Sequence, residues 1–335
     1  MPARSFASRS FFHLAVLAIA GVSLAAIACS SSGSPGATSG SDSGTTSGSD
    51  ATTGDDGSTT PDDSGGGTGF DANGPHTKIR IMTGNLSSGN SQNYDSGEGE
   101  RIFEGLHADI IMIQEFNVGT SDSDVQNFVT TVCGAGCSYY QEPGVAIPNG
   151  IITKFPILSS GFWDDPNTTD REFAWAQIDI PGPRDLWAVS VHLLTTSGGN
   201  RTLQANSLVG YIRANVPADA YVAIGGDFNT DSRSEGAISA LSAVVVVDPP
   251  YPADGAMNEN TNAPRNKPYD WVVGSPELAA GMVPVQIGSN SFPGGLVVDT
   301  RVYTPIEDIA PAMATDSAAT NMQHMGVVRD FLVAD

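Results

Sequence analysis

Ile224-Gly225-Gly226-Asp227-Phe228-Asn229-Thr230 decides how the rest of the chain is read. Tyr221 to Ile224 is a short apolar segment of β type, and a polar, turn-rich loop follows the motif. Two consecutive glycines permit backbone angles closed to other residues and let another group come close. Asp227 and Asn229 stand two apart, so on an extended chain they face one side. An acid and an amide then project together at a strand end, where the sites of layered sheet proteins commonly lie. Alone, the stretch also reads as a turn in which Asp and Asn satisfy backbone groups. Its meaning therefore rests on what the flanking chain supplies.

Working outward, apolar strands that end on chemically capable residues recur. Ile79 and Ile81 alternate with polar neighbours, and Asn85 lies just past that strand. Ala108 to Ile113 is too short for a membrane span and fits a buried strand, closed by Gln114 and Glu115. Asp170 to Ile180 alternates and carries Arg171, Leu186 to Val191 runs into His192, and Pro268 to Val273 has Asp270 near its start. Taken singly, Glu115 is a solvated cap and His192 a hydrogen-bonded core residue. Helical spacing marks Arg101 to Leu106, Asp122 to Val132, Asn200 to Asn215 and Ser234 to Leu241. Further short strands are expected at Ser138–Tyr140, Gly150–Lys154, Ile157–Leu158, Val244–Val247, Val283–Ile287 and Leu296–Val298. Many short strands with a few long helices predict two packed sheets covered by helices.

The start of the chain reads as an export signal. Arg4 and Arg9 precede an apolar run from Phe11 to Ala28, and small residues lead into Cys29. This looks like a bacterial lipobox with Cys29 lipidated; the other reading is an ordinary signal peptide cleaved nearby. Ser30 after the cysteine, in place of Asp, points to the outer membrane or cell surface. Ser30 to Pro75 is mainly Ser, Gly, Thr and Asp with almost no large apolar residue, so it buries too little surface to offset its ordering entropy and reads as a tether. The expected organisation is therefore a signal at 1–28, a lipidated cysteine and linker at 29–75, and one domain at 76–335.

The chain holds 37 acidic and 15 basic residues; seven acids and two bases precede residue 76, leaving 30 and 13, a net −17 for the domain. Such a domain is no obvious polyanion binder, since phosphate backbones are held by Lys and Arg. Carboxylates gathered around a divalent cation would account for part of the charge. Cys133 and Cys137 form a close pair with no second pair to complete a metal site, so in an exported chain a disulfide is expected. Phe162, Trp163 and Trp175 are too scattered to mark a lipid-binding loop.

Asn85, Gln114-Glu115, Asn149-Gly150 with its following strand, Val191-His192-Leu193, Gly225-Gly226-Asp227-Phe228-Asn229, Tyr269-Asp270-Trp271 and Gln323-His324 form an ordered series over residues 78–332. In this the sequence resembles the endonuclease/exonuclease/phosphatase superfamily, which includes pancreatic deoxyribonuclease, apurinic endonucleases, sphingomyelinases and inositol-phosphate phosphatases. The resemblance implies an α+β fold, a four-layer αββα sandwich of two packed mixed β-sheets flanked by helices. It implies Mg2+, with Mn2+ or Ca2+ as substitutes, held by Glu115 and Asn85. Asp227 would orient or deprotonate the attacking water, and Asn229 would hold a phosphate oxygen. Asp270 would fix His324, which acts as general base or stabilises charge on phosphorus. His192 would contact the phosphate or assist the leaving group, and Arg171 would lie near the phosphate. The family normally has Asp before the last histidine; Gln323 stands there and offers a carbonyl oxygen without charge, which implies weaker or rearranged metal binding. The expected activity is metal-dependent phosphodiester hydrolysis by an exported nuclease acting on nucleic acid. The alternatives are a hydrolase of lipid or small-molecule phosphates, or a tethered binding domain without turnover.

Overall fold

A computed structural model describes residues 74–335. The expected signal, Cys29 and all but the last residues of the expected tether lie outside the described residues. The chain opens with β1 (His76–Gly84), α1 (Glu98–Leu106) and β2 (Ile110–Ile113). Next come α2 (Asp122–Cys133), β3 (Ser138–Gln141) and β4 (Gly150–Thr153). β5 (Ile157–Trp163), β6 (Phe173–Ile178), β7 (Leu186–His192), α3 (Gly198–Asn215), β8 (Tyr221–Asp227), α4 (Gly236–Leu241) and β9 (Asp270–Gly274) form the middle. α5 (Pro276–Ala280), β10 (Met282–Val283), β11 (Val285–Ile287), β12 (Asn290–Phe292), β13 (Leu296–Val298) and β14 (Gly326–Ala334) complete it.

Local sequence explains these elements. On α1, Ile102, Phe103 and Leu106 are buried while three glutamates share the other side. α2 starts at a capping box in which the Ser121 hydroxyl accepts from the Asp124 N–H and Asp124 accepts from the Ser121 N–H. Cys133 and Cys137 are joined by a disulfide directly after it.

A seven-stranded sheet runs β10-β14-β1-β2-β4-β3, with β13 also on β14, and a five-stranded sheet runs β5-β6-β7-β8-β9. Each sheet contains one parallel pair, β1 with β2 and β7 with β8, joined through α1 and α3; the other pairings are antiparallel. Between the sheets, Ile79, Ile81, Ile110 and Met112 meet Ala174, Ala176, Ala188 and Ala223. Branched residues on one face against alanines on the other let the sheets pack closely, each buried Ile contributing about 1.5–3 kcal/mol. Gly225 belongs to this fit, since a Cβ there would collide with Met112. Gly226, at φ 153°, lies against the Val191 carbonyl, which any side chain would strike. α1 and α2 cover the outer face of the larger sheet, and α3 and α4 that of the smaller. The four layers are those expected.

Some expected elements differ. Val244–Val247 is no strand: the segment turns, Val245 drops into the core, and Val246 makes a single bridge to Gly274. Val283–Ile287 is divided at Pro284, which has no N–H for the ladder. Trp163 and Trp175 are stacked, with ring centroids 5.7 Å apart, and Trp163 is buried against α3.

Candidate active site

The parallel pairs aim their C-terminal ends the same way. In the smaller sheet His192, Asp227 and Asp270 are register partners across β7, β8 and β9, so three site residues occupy one row. In the larger sheet Asn85 directly follows β1, Glu115 lies just after β2, and His324 stands two residues before β14. Stacking the sheets brings this second set over the first. Glu115 and Asn229 both have φ of 52°, a left-handed conformation that non-glycine residues adopt where the surroundings hold them.

Asp227 is the hub. Its Oδ2 lies 3.2 Å from His192 Nε2, 3.3 Å from His324 Nε2 and 3.4 Å from Asn85 Nδ2. Its Oδ1 accepts from the Asn229 backbone N–H at 2.9 Å. Burial raises the Asp227 carboxyl to about 7, with the His324 charge pulling it down and the Asp270 charge pushing it up. His324 Nδ1 lies 3.0 Å from Asp270 Oδ2. Burial works against the His324 charge, yet Asp227 and Asp270 outweigh it and push the ring up to about 10. His192 is the opposite case: burial, then Arg171 and His324, hold it well below 6.5. Arg171 Nη1 lies 3.0 Å from both ring nitrogens of His192, and Nε2 is also 3.2 Å from Asp227 Oδ2, to which the neutral ring can donate. Two carboxylates hold His324 as the cation, whereas burial first and then the Arg171 guanidinium hold His192 as the neutral ring.

Glu115 is 4 % exposed. Its carboxylate accepts from Asn85 Nδ2 at 3.2 Å and from Ser87 Oγ at 2.6 Å. The Gln92 terminal amide lies 3.1 and 3.2 Å from the two carboxylate oxygens, and NH2 toward Glu115, with the oxygen toward the Gln323 amide, is the orientation that satisfies both of its polar atoms. All these partners are neutral. Gln323 is itself exposed and reaches Gln92. Asn229 Nδ2 donates to the Leu193 carbonyl, which leaves its second N–H. Every residue singled out from the sequence as catalytic or phosphate-binding thus lies at this end of the sandwich, along with Asn85, Glu115 and Gln323.

Other participants were given no role from the sequence, although Gln114 belongs to the Gln114-Glu115 motif. Tyr94 donates to the Gln114 carbonyl and accepts from the Leu86 N–H, bracing the loop that presents Asn85. Gln114 ties the sheets together through Ser190 Oγ at 2.9 Å. Glu142 is buried, accepts from the Asn149 N–H, and has a second carboxylate oxygen without a hydrogen-bond partner among the described residues. Burial raises it to about 7.

Asp227, Asp270 and His324 also offer ligand atoms within 4.8 Å of one another.

Residues 82–292 match the Endonuclease/Exonuclease/phosphatase family, and the chain belongs to that family. Gln323 and His324 lie beyond the matched segment, and it is the fold that brings them back. Among solved structures, the endonuclease/exonuclease/phosphatase from Bacteroides vulgatus is 16 % identical, with 77 % of this chain and 100 % of that one covered and a TM-score of 0.53. Truncated Caenorhabditis elegans TDP2 is 16 % identical over 76 % of this chain and 98 % of that one, with a TM-score of 0.51. A functionally unknown conserved protein from Enterococcus faecalis V583 is 12 % identical over 77 % and 100 %, at 0.53. These likenesses establish the α+β sandwich. No curated protein matches the chain.

Proposed function

We propose that the protein is a metal-dependent phosphodiester hydrolase, an exported endonuclease or exonuclease. The observation that carries the reading is Asp227 Oδ2 poised between His192 and His324 beside Asn85 and Glu115. The donor set fits a hard divalent cation, because a buried carboxylate and side-chain amides are oxygen ligands and Glu115's hydrogen-bond donors, Asn85 and Ser87, are neutral. Glu115 and Asn85 would hold Mg2+, or Mn2+ or Ca2+ in its place, while Gln323 reaches Gln92 and not Glu115. When bound, the ion supplies positive charge against that growing on the phosphoryl oxygens.

The chain's own residues do the rest. Ionised Asp227 takes the proton of the attacking water. His324, held by Asp270, donates from Nε2 to a phosphoryl oxygen, and Arg171 supplies a second positive donor. The free N–H of Asn229 binds another oxygen, and the one N–H of neutral His192, which faces Asp227 before substrate enters, turns to the phosphate or to the leaving oxygen. Donors fixed in a water-poor cleft act where charge develops and need little reorganisation.

Plasmid DNA, RNA, sphingomyelin and a generic phosphodiester, each with and without chelator, test this with wild type and His324→Ala. Turnover that needs the ion and falls about 10²–10⁴-fold in His324→Ala is expected. Activity on none of the substrates would leave a tethered binding domain. The net charge of −17 in the domain (30 acids against 13 bases) favours a second reading, hydrolysis of lipid or small-molecule phosphates. Turnover confined to sphingomyelin or the generic ester would select it.

A further inference from the structure

The family's usual acid before the last histidine is absent, and Gln323 in its place points to Gln92 rather than to Glu115. Gln92 belongs to a tight turn closed by its own N–H to the Gly89 carbonyl at 3.2 Å. Ser91 and Gln92 both have positive φ, 58° and 54°, a pairing of non-glycine residues that persists only where the surroundings impose it. What this turn achieves is to hang one terminal amide over both oxygens of Glu115, at 3.1 and 3.2 Å, with the Gln323 amide behind it. The last torsion of a glutamine is broad and roughly two-fold, so the carbonyl and the NH2 can exchange places without moving the chain. A carbonyl oxygen at that position would be repelled by Glu115 unless a cation lay between them.

We propose that Gln92 is a ligand of the divalent cation at Glu115 and stands in for the carboxylate missing at position 323. Without the ion its NH2 donates to Glu115 and neutral partners share the buried charge. With the ion the amide turns and its oxygen joins Glu115 and Asn85, while the Gln323 amide supports the released NH2 side. The inference rests on reading Glu115 as the principal ligand.

Direct Mn2+ binding by the whole chain, without substrate, tests it by calorimetry and by the loss of the free-ion electron paramagnetic resonance signal. The proteins compared are wild type, Glu115→Gln, Gln92→Gly, which suits the left-handed turn, and Gln92→Glu, which keeps an oxygen ligand. Expected are binding that Glu115→Gln abolishes, a loss of about tenfold or more in Gln92→Gly, and affinity at or above wild type in Gln92→Glu. Wild-type affinity in Gln92→Gly, with Glu115→Gln still deficient, would overturn this inference and leave the Glu115 reading intact. Weakening in both Gln92 variants would assign the effect to loop geometry and overturn it as well. Unchanged binding in Glu115→Gln would remove the Glu115 reading and this inference together.

Discussion

Glu142 shows at the residue scale how burial writes itself into pH dependence. Its carboxyl is raised to about 7, mainly by burial, while the Asn149 and Glu172 N–H groups pull the other way. A folded acid raised above its unfolded value holds its proton more tightly when folded. Its contribution is therefore complete below about pH 4.5 and is lost as pH rises toward 7. The shift sets a ceiling of about 3–4 kcal/mol on the loss, which solvent screening of the carboxyl lowers. Glu142→Gln keeps an acceptor for the Asn149 N–H and has no charge to bury. Urea denaturation between pH 5 and pH 8 should show wild type losing stability relative to Glu142→Gln, and parallel curves would count against this. Single residues were legible where chemistry and position coincide, as with Asp227 or His192 at the end of an apolar strand. Gln92 and Glu142 were not, because a glutamine in a turn and a glutamate after a short strand read as solvated surface. Their burial comes from segments far away in sequence.

At the scale of elements, α3 is held by a charge inside its first turn. Arg201 is 1 % exposed and donates to Glu235 at 2.9 and 2.7 Å, to Asp231 at 3.0 Å, and to the Leu194 carbonyl at 3.2 Å. It thereby clamps the loop after His192 to the loop after Asn229. Removing one partner of a buried ion pair leaves the other charge without compensation, which costs about 3–5 kcal/mol. Arg201→Met should lower the melting temperature by several degrees and reduce kcat, and a thermal melt within a degree of wild type would refute the clamp. Strands with clean alternation, and α2 with its capping box, were readable from local pattern. The valine run at 244–247 was misread because β-branched composition cannot tell a strand from a turn that sinks one valine into a core. Arg201 was invisible for a related reason, since an arginine in a helical stretch is ordinarily on the outside.

The whole molecule sets what it can grip. Arg80, Arg101, Lys154, Arg201, Arg265, Lys267 and Arg301 are each committed to an ion pair. Few cations are then left to release counterions from a duplex. Between 50 and 200 mM salt the KM for DNA should change by about tenfold or less, against the 10³–10⁵ typical of six to ten phosphate contacts. Steady-state kinetics over that range measure it, and a steep dependence would reveal a basic track across the surface. The order of layers was readable because chemically distinctive strand ends recur in a fixed sequence, whereas the pairing of β1 with β14 joins segments too distant for local pattern to register. That pairing has a consequence of its own. His76 is matched with Ala334, the Asp335 N–H reaches the Pro75 carbonyl, and β1 only afterwards runs toward Asn85. Both ends of the fold thus emerge side by side at the pole opposite the cleft. A bead, a surface or a fusion partner joined at either end would leave the mouth of the cleft facing open solution, and a short splice across the two ends would yield a circular permutant with its chemistry undisturbed.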